Sequence, residues 1–180
     1  MTRIIAGTAR GRRLVVPAGD LTRPTADRAR EGLFSSLQSL VDLEQARVLD
    51  LYAGSGALGL ESLSRGAGSA TMVEDDPAAL TAIRTNIDTL GLHGAFVVPT
   101  KVEMFLAGFA EPRYDLALLD PPYDVAVDDL LVALLPWLAE DAVVMVERRT
   151  RAGSPTWPDG LEEERSRTYG EATLWYASRC

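Results

Sequence analysis

Five short apolar runs, centred near Val48, Val73, Val97, Leu118 and Val144, recur along this chain with helix-patterned stretches between them. That alternation constrains the fold more than any other feature. A helix between each pair of strands forces crossovers, so the strands lie parallel and are covered on both faces. The helical stretches are Leu58 to Leu63, Pro77 to Leu90, Val102 to Phe109 and Val127 to Leu138. A further helix, from about Thr25 to Leu40, precedes the first strand, with Leu33, Phe34, Leu37 and Leu40 at apolar spacing. The tail breaks the pattern: Glu162 to Tyr169 and Ala172 to Ala177 read as two strands joined at Gly170, after a loop over residues 152–160.

The first alternation carries a motif. Arg47-Val48-Leu49-Asp50-Leu51 reads as a buried strand running into Tyr52-Ala53-Gly54-Ser55-Gly56 and then a helix. Gly54 and Gly56 permit positive φ and let a ligand approach bare backbone. The helix N-terminus behind them offers unpaired N–H groups and partial positive charge, suited to a carboxylate or phosphate. Glu74, eighteen positions after Gly56, ends the next strand where an acid binds a ribose hydroxyl pair. Gly54, Gly56 and Gly59 also satisfy the G-x-G-x-x-G dinucleotide spacing, so this stretch alone leaves a nicotinamide cofactor open. Asp50 favours S-adenosylmethionine, because an acid before the turn repels a pyrophosphate and welcomes a methionine amino group.

A second motif closes the fourth apolar run. After Tyr114 to Leu119 comes Asp120-Pro121-Pro122-Tyr123. Two prolines in series hold the backbone extended and stiff. The result is a rigid lip with one carboxylate, carbonyl oxygens and a flat ring, able to grip a planar base and accept from its exocyclic amine. In an open α/β sheet it would lie at a strand's carboxyl end, where ligands bind.

Arg47 to Glu61, Glu74 and Asp120 to Tyr123 resemble the motifs of class I S-adenosylmethionine-dependent methyltransferases acting on exocyclic nitrogen. The leader narrows the match. Arg3 to Gly7, Gly11 to Leu14, Arg23-Pro24-Thr25-Ala26-Asp27-Arg28-Ala29-Arg30-Glu31 and Phe34 are similar to the bacterial RsmD family, which methylates N2 of a guanine in 16S ribosomal RNA. The resemblance runs essentially the whole length. It implies a Rossmann-like α/β sheet, mostly parallel, closed by a C-terminal antiparallel hairpin and extended by an N-terminal β-hairpin. Residues 1–24 would be an arginine-rich RNA-contacting extension and 25–180 the methyltransferase domain. Asp120, Pro121, Pro122 and Tyr123 would be catalytic. Asp50, Ala53, Gly54, Ser55 and Gly56 would surround the methionine end of the cofactor, Glu74 the ribose, and Val102 or its neighbours Lys101 and Glu103 the adenine. The substrate would be 16S rRNA in assembled 30S subunits.

Net charge is −8, unusual for a nucleic-acid binder, but its distribution is uneven. Residues 1–30 hold seven arginines against Asp20 and Asp27, a surplus of +5 that leaves −13 on the remainder. One basic face on an acidic body is expected, with Arg3, Arg10, Arg12, Arg13, Arg23 and Arg28 as RNA contacts. At 180 residues and 47% hydrophobic, one core suffices. No apolar run approaches a membrane span, and Met1-Thr2-Arg3-Ile4 lacks the apolar stretch of a signal peptide. Cys180 and His93 are each the only residue of their type, which leaves no disulfide framework, zinc site or histidine base. A cytoplasmic, metal-free enzyme fits, with a monomer favoured.

The chemistry needs little acid–base help. A guanine amine is a poor nucleophile, and hydrogen bonds to Asp120 and the Pro121 carbonyl would orient it and stabilise its growing positive charge. Tyr123 would stack on the flipped base. Cytosine C5 methylation needs a cysteine nucleophile, and Cys180 is terminal. Adenine N6 in DNA and a protein glutamine amide are alternative targets, though sequence-specific DNA would call for an extra recognition domain. A non-catalytic RNA-binding assembly factor is the reading from another class.

Overall fold

Strand β1 (Arg47–Leu51) is buried from its second residue to its last, as befits a parallel strand covered on both faces. The computed structural model describes residues 1–18, 24–111 and 114–180. Around β1 assemble β2 (Ser69–Glu74), β3 (Ala95–Pro99), β4 (Tyr114–Leu119), β5 (Leu138–Arg149), β6 (Leu161–Tyr169) and β7 (Ala172–Arg179), in the order β3-β2-β1-β4-β5-β7-β6. The first five strands are parallel, and β7 runs antiparallel to both β5 and β6. The alternating strands and the tail hairpin therefore form as the sequence indicates. From β1 the chain builds outward through β2 and β3, then returns to place β4 on the other side of β1. The reversal opens a crevice at the carboxyl ends of β1 and β4.

Period-two alternation divides the core. Val48, Leu116, Leu118, Val143 and Met145 face α1 (Pro24–Leu37), α2 (Ala57–Ser64) and α3 (Pro77–Leu90) through Leu33, Phe34, Leu37, Leu60 and Ile83. Leu49, Leu51, Ala117, Leu119, Val144 and Val146 face α4 (Val102–Leu106) and α5 (Val127–Leu134) through Leu106, Leu130, Leu131 and Leu134. Trp137 seals that side, stacked 4.5 Å from Phe105 with its indole N–H donating to the Leu106 carbonyl.

Three helices end earlier than their apolar spacing suggests. The last turn of α1 tightens into i→i−3 bonds, Ser39 to Ser36 and Leu40 to Leu37, so the helix stops at Leu37. Helix α4 stops at Leu106, and Phe109 is 98% exposed rather than part of a packed face. Helix α5 stops at Leu134 because Pro136 has no N–H to donate; one 3₁₀ turn follows, and Leu138 already begins β5.

The leader is a closed loop rather than a strand ladder. Its ends meet in a single bridge between Arg3 and Arg13, supported by Ile4 N–H to Arg12 O and Leu14 N–H to Thr2 O, both 2.9 Å. Ile4, Ala9 and Leu14 are buried in the same core as α1 and α2. The buried Glu61 carboxylate accepts from Ile5 N–H at 2.8 Å and Ala6 N–H at 3.0 Å. Asn86 accepts from Val15 N–H at 2.7 Å and donates to the carbonyls of Val15 and Ser55, both at 2.9 Å. A segment bound in this way is part of the domain's core, not an arm beside it.

Candidate active site

The turn after β1 is held in left-handed backbone. Tyr52, Gly54 and Gly56 have φ of 60°, 57° and 78°. For Tyr52 that conformation costs about 1–3 kcal/mol, and its hydroxyl is tied to Glu103 Oε1 at 2.9 Å. A Cβ on Gly54 would meet nothing within 4 Å, so the chain leaves open space against that backbone. Gly59 is a different case. A Cβ there would lie 2.8 Å from Met72 Cγ, so this glycine serves close helix–sheet packing.

Two acids fix the turn. Asp50, 1% exposed, accepts the N–H of Gly59 at 2.9 Å and thereby caps the N-terminus of α2 from the neighbouring strand. Burial, reinforced by the nearby charge of Glu74, pushes its carboxyl up to about 7 despite that bond. Glu74 accepts from Gly54 N–H at 2.8 Å, Asp75 N–H at 2.9 Å and Asp76 N–H at 3.0 Å. About one of its four lone-pair sites is then left for a ligand.

Between the sheet face, the turn and α1 lies a cavity of about 360 Å³, within the range of small-molecule sites, roughly 300–1,000 Å³. Its walls include Asp50, Ala53, Gly54, Ser55 and Asp120 from the expected set, together with Tyr52, Arg30 and Glu147. Three adjacent strands, β1, β4 and β5, thus send an acid into one space at their carboxyl ends. Glu147 is half-buried, and burial raises its carboxyl above the ordinary range. Gly56 is buried at the helix start, and Val102 is 2% exposed inside the opposite core. Neither lines this cavity, and nor does Glu74.

Beyond Asp120 the lip turns back through Val125 N–H to Pro122 O at 3.1 Å. Pro121 is buried while Pro122 and Tyr123 are exposed, Tyr123 by 67%. The Arg149 guanidinium lies over the Tyr123 ring at 3.9 Å. A second cleft of about 160 Å³ runs under the lip, lined by Pro121, Pro122, Tyr123, Glu147, Arg148 and Arg151 among others.

The basic face is smaller at the leader, and larger elsewhere, than composition suggests. Arg3, Arg10, Arg12, Arg13 and Arg28 are exposed, although Arg12 donates to the Thr89 carbonyl. Arg23 lies outside the described residues. Arg30 belongs to no surface: it is 6% exposed and lines the cavity, its guanidinium bonded to Arg3 O at 2.6 Å and Asp27 Oδ1 at 3.0 Å. Sequence reasoning missed Arg148, Arg149 and Arg151, whose only mark is a charged run directly after an apolar strand.

The whole chain has relatives. The family model described as "Conserved hypothetical protein 95" matches residues 2–178. "Ribosomal RNA small subunit methyltransferase D" of Escherichia coli K12 is 40% identical over 172 residues, covering 94% of this chain and 85% of that protein. "Putative rRNA methyltransferase YlbH" of Bacillus subtilis 168 is 35% identical over 174 residues, covering 93% and 94%. Among solved structures, "Putative methyltransferase yhhF from Escherichia coli" superposes with a TM-score of 0.88 at 38% identity, covering 99% of this chain and 97% of that one.

Proposed function

This chain belongs to the RsmD family of ribosomal RNA methyltransferases, and from that premise we propose that it transfers the methyl group of S-adenosylmethionine to the exocyclic N2 of a guanine in 16S rRNA, within the assembled small subunit. The observation that carries the reading is the convergence of Asp50, Asp120 and Glu147 on one cavity beside the turn of Gly54. An acidic wall suits a ligand bearing an ammonium and a sulfonium, and it opposes a pyrophosphate, which disfavours a dinucleotide. The open space at Gly54 fits a ligand lying against backbone. When bound, S-adenosylmethionine supplies an electrophilic methyl group on positively charged sulfur.

The protein's part is holding and orienting. Asp50 meets the amino group, with Ala53, Gly54, Ser55 and Gly56 forming the turn around the methionine end. Glu74 offers its remaining acceptor site to a ribose hydroxyl. Val102 is buried, so any contribution to an adenine site comes from backbone at the start of α4. Asp120 and the Pro121 carbonyl accept the two amine hydrogens, turning the nitrogen lone pair toward the methyl group. Positive charge grows on that nitrogen as the bond forms, and Asp120 opposes it before a proton leaves to Asp120 or water. Tyr123, stiffened by Pro121 and Pro122 and backed by Arg149, stacks on the flipped base. The exposed arginines Arg3, Arg10, Arg12, Arg13 and Arg28 hold phosphates, and Arg23 is proposed with them on sequence grounds. Residues 1–24 act as an RNA-contacting segment packed onto a methyltransferase domain spanning 25–180.

Among the described residues no helix is long and apolar enough to cross a membrane, and no acid, histidine and cysteine group could hold a metal. Work in the cytoplasm, as a monomer, completes the proposal. Its test is Asp120→Ala, expected to lower transfer by about 3 kcal/mol in barrier, near 100-fold, by analogy with losing one oxyanion donor. The fold should be unchanged, and transfer is compared at saturating S-adenosylmethionine. Near-normal turnover would overturn the mechanism.

A further inference from the structure

We propose that Glu147 reads the target base: it accepts the ring N1–H of guanine while Asp120 holds the neighbouring exocyclic amine. The inference rests on the guanine reading above and adds a specificity residue to it. Strands β4 and β5 run parallel with Leu119 opposite Val146, so Asp120 and Glu147 stand one step further along adjacent strands. Adjacent strands lie about 4.8 Å apart, close enough for one base edge to meet both carboxylates. Glu147 lines both the cofactor cavity and the cleft under the lip. It therefore sits at the junction that a base gripped by Pro122 and Tyr123 must reach.

No salt bridge among the described residues neutralises Glu147. Among the described residues its side chain makes no hydrogen bond or ion pair, unlike that of Glu61, which accepts from the leader and Arg65. A half-buried carboxylate left unpaired costs free energy that donors from a ligand would recover. Burial raises its carboxyl, and hydrogen-bond donors from a base would favour the ionised form. The Watson–Crick edge of guanine presents two adjacent donors, N1–H and the N2 amine. Adenine places an acceptor at N1 and cytosine places one at N3, and a carboxylate repels both. Enzymes that act on flipped bases read this edge. Two carboxylates on neighbouring strands match two neighbouring donors on a single base.

The test compares guanine with 2-aminopurine at the mapped target position of the rRNA substrate. 2-Aminopurine keeps the C2 amine but carries an acceptor at N1. The wild-type enzyme should methylate guanine and lose on the order of 100-fold or more in kcat/KM on 2-aminopurine, because a site built to accept a hydrogen bond rejects an analogue lacking it. In Glu147→Gln, the amide can either donate or accept. Guanine turnover should fall roughly tenfold or more, and the guanine preference should shrink by at least tenfold, with both bases compared at saturating S-adenosylmethionine. An unchanged preference in Glu147→Gln would overturn the assignment, whatever its absolute activity. So would a wild-type enzyme that accepts both bases equally, a result needing no variant. A wild-type enzyme that modifies no guanine at all would instead remove the functional reading beneath it.

Discussion

The carboxylate of Asp50 accepts the N–H of Gly59, nine residues downstream, at 2.9 Å while being almost wholly buried. One side chain thus sits one residue before a strand's end, caps a helix and faces the cavity. Those roles conflict electrostatically, since burial raises the carboxyl to about 7 from an ordinary 3.8.

That conflict gives a pH dependence with a definite sign. Between pH 4 and 7 the unfolded chain ionises Asp50 while the ligand-free folded protein keeps it protonated. The folded state binds more protons there, so this residue's contribution to stability falls as pH rises, by up to about 1.4 kcal/mol per pH unit. Asp50→Asn should remove that slope from the wild-type curve measured by denaturant titration. A cationic ligand prefers the ionised form, so S-adenosylmethionine affinity should weaken by up to about tenfold per unit below pH 7 in the wild type and stay flatter in Asp50→Asn. Parallel pH curves for the two proteins would contradict this role.

Glu61 is the leader's anchor. Its oxygens accept from Ile5, Ala6 and the Arg65 guanidinium, the last at 2.8 Å, and it is fully buried. Glu61→Ala leaves those donors unpaired and should cost about 3–5 kcal/mol. At this chain length the thermal midpoint should drop by roughly 10 °C. Proteolysis should then cut first between residues 1 and 18, because the leader loses its seat before the sheet does. A loss below about 1 kcal/mol would show that apolar packing of Ile4, Ala9 and Leu14 suffices.

Replacing Arg10, Arg12 and Arg13 together should weaken binding to small ribosomal subunits without changing S-adenosylmethionine affinity. Each phosphate contact removed should flatten the log–log salt dependence by roughly 0.7–0.9. Arg12 is already engaged by Thr89, so Arg10 and Arg13 should account for most of the change. Transfer at saturating substrate should persist, since Asp120 and Tyr123 are untouched. An unchanged salt slope would place the RNA grip elsewhere, with Arg148, Arg149 and Arg151 under the lip as the next set to replace.

Local motifs made much of this molecule legible in its sequence. Gly54 and Gly56 announce the turn because φ near +60° to +80° suits few other residues. Pro121 and Pro122 announce the lip because proline stiffens any backbone. Long-range partnerships carry no such mark. Asn86 meets Val15 across 71 residues and Ile5 meets Glu61 across 56, and neither pair has a spacing to betray it. Arg30 shares its composition with a surface leader, yet helix phase turns it inward toward Asp27 and the cavity. Glu147 opens a charged run that resembles a solvated strand end, and only the pairing of β5 beside β4 brings it to Asp120. Tyr52 in left-handed backbone follows no residue preference; its hydroxyl's bond to Glu103 helps hold it there.

The central claim is methyl transfer to a guanine amine, and one assay addresses it directly. Small ribosomal subunits lacking the modification are incubated with the enzyme and radiolabelled S-adenosylmethionine, and the rRNA is then digested to nucleosides and identified by mass. The expected product is labelled N2-methylguanosine in 16S rRNA, formed about 100-fold more slowly when Asp120→Ala replaces the wild-type enzyme. Label in methyladenosine, or in ribosomal protein alone, would contradict the account.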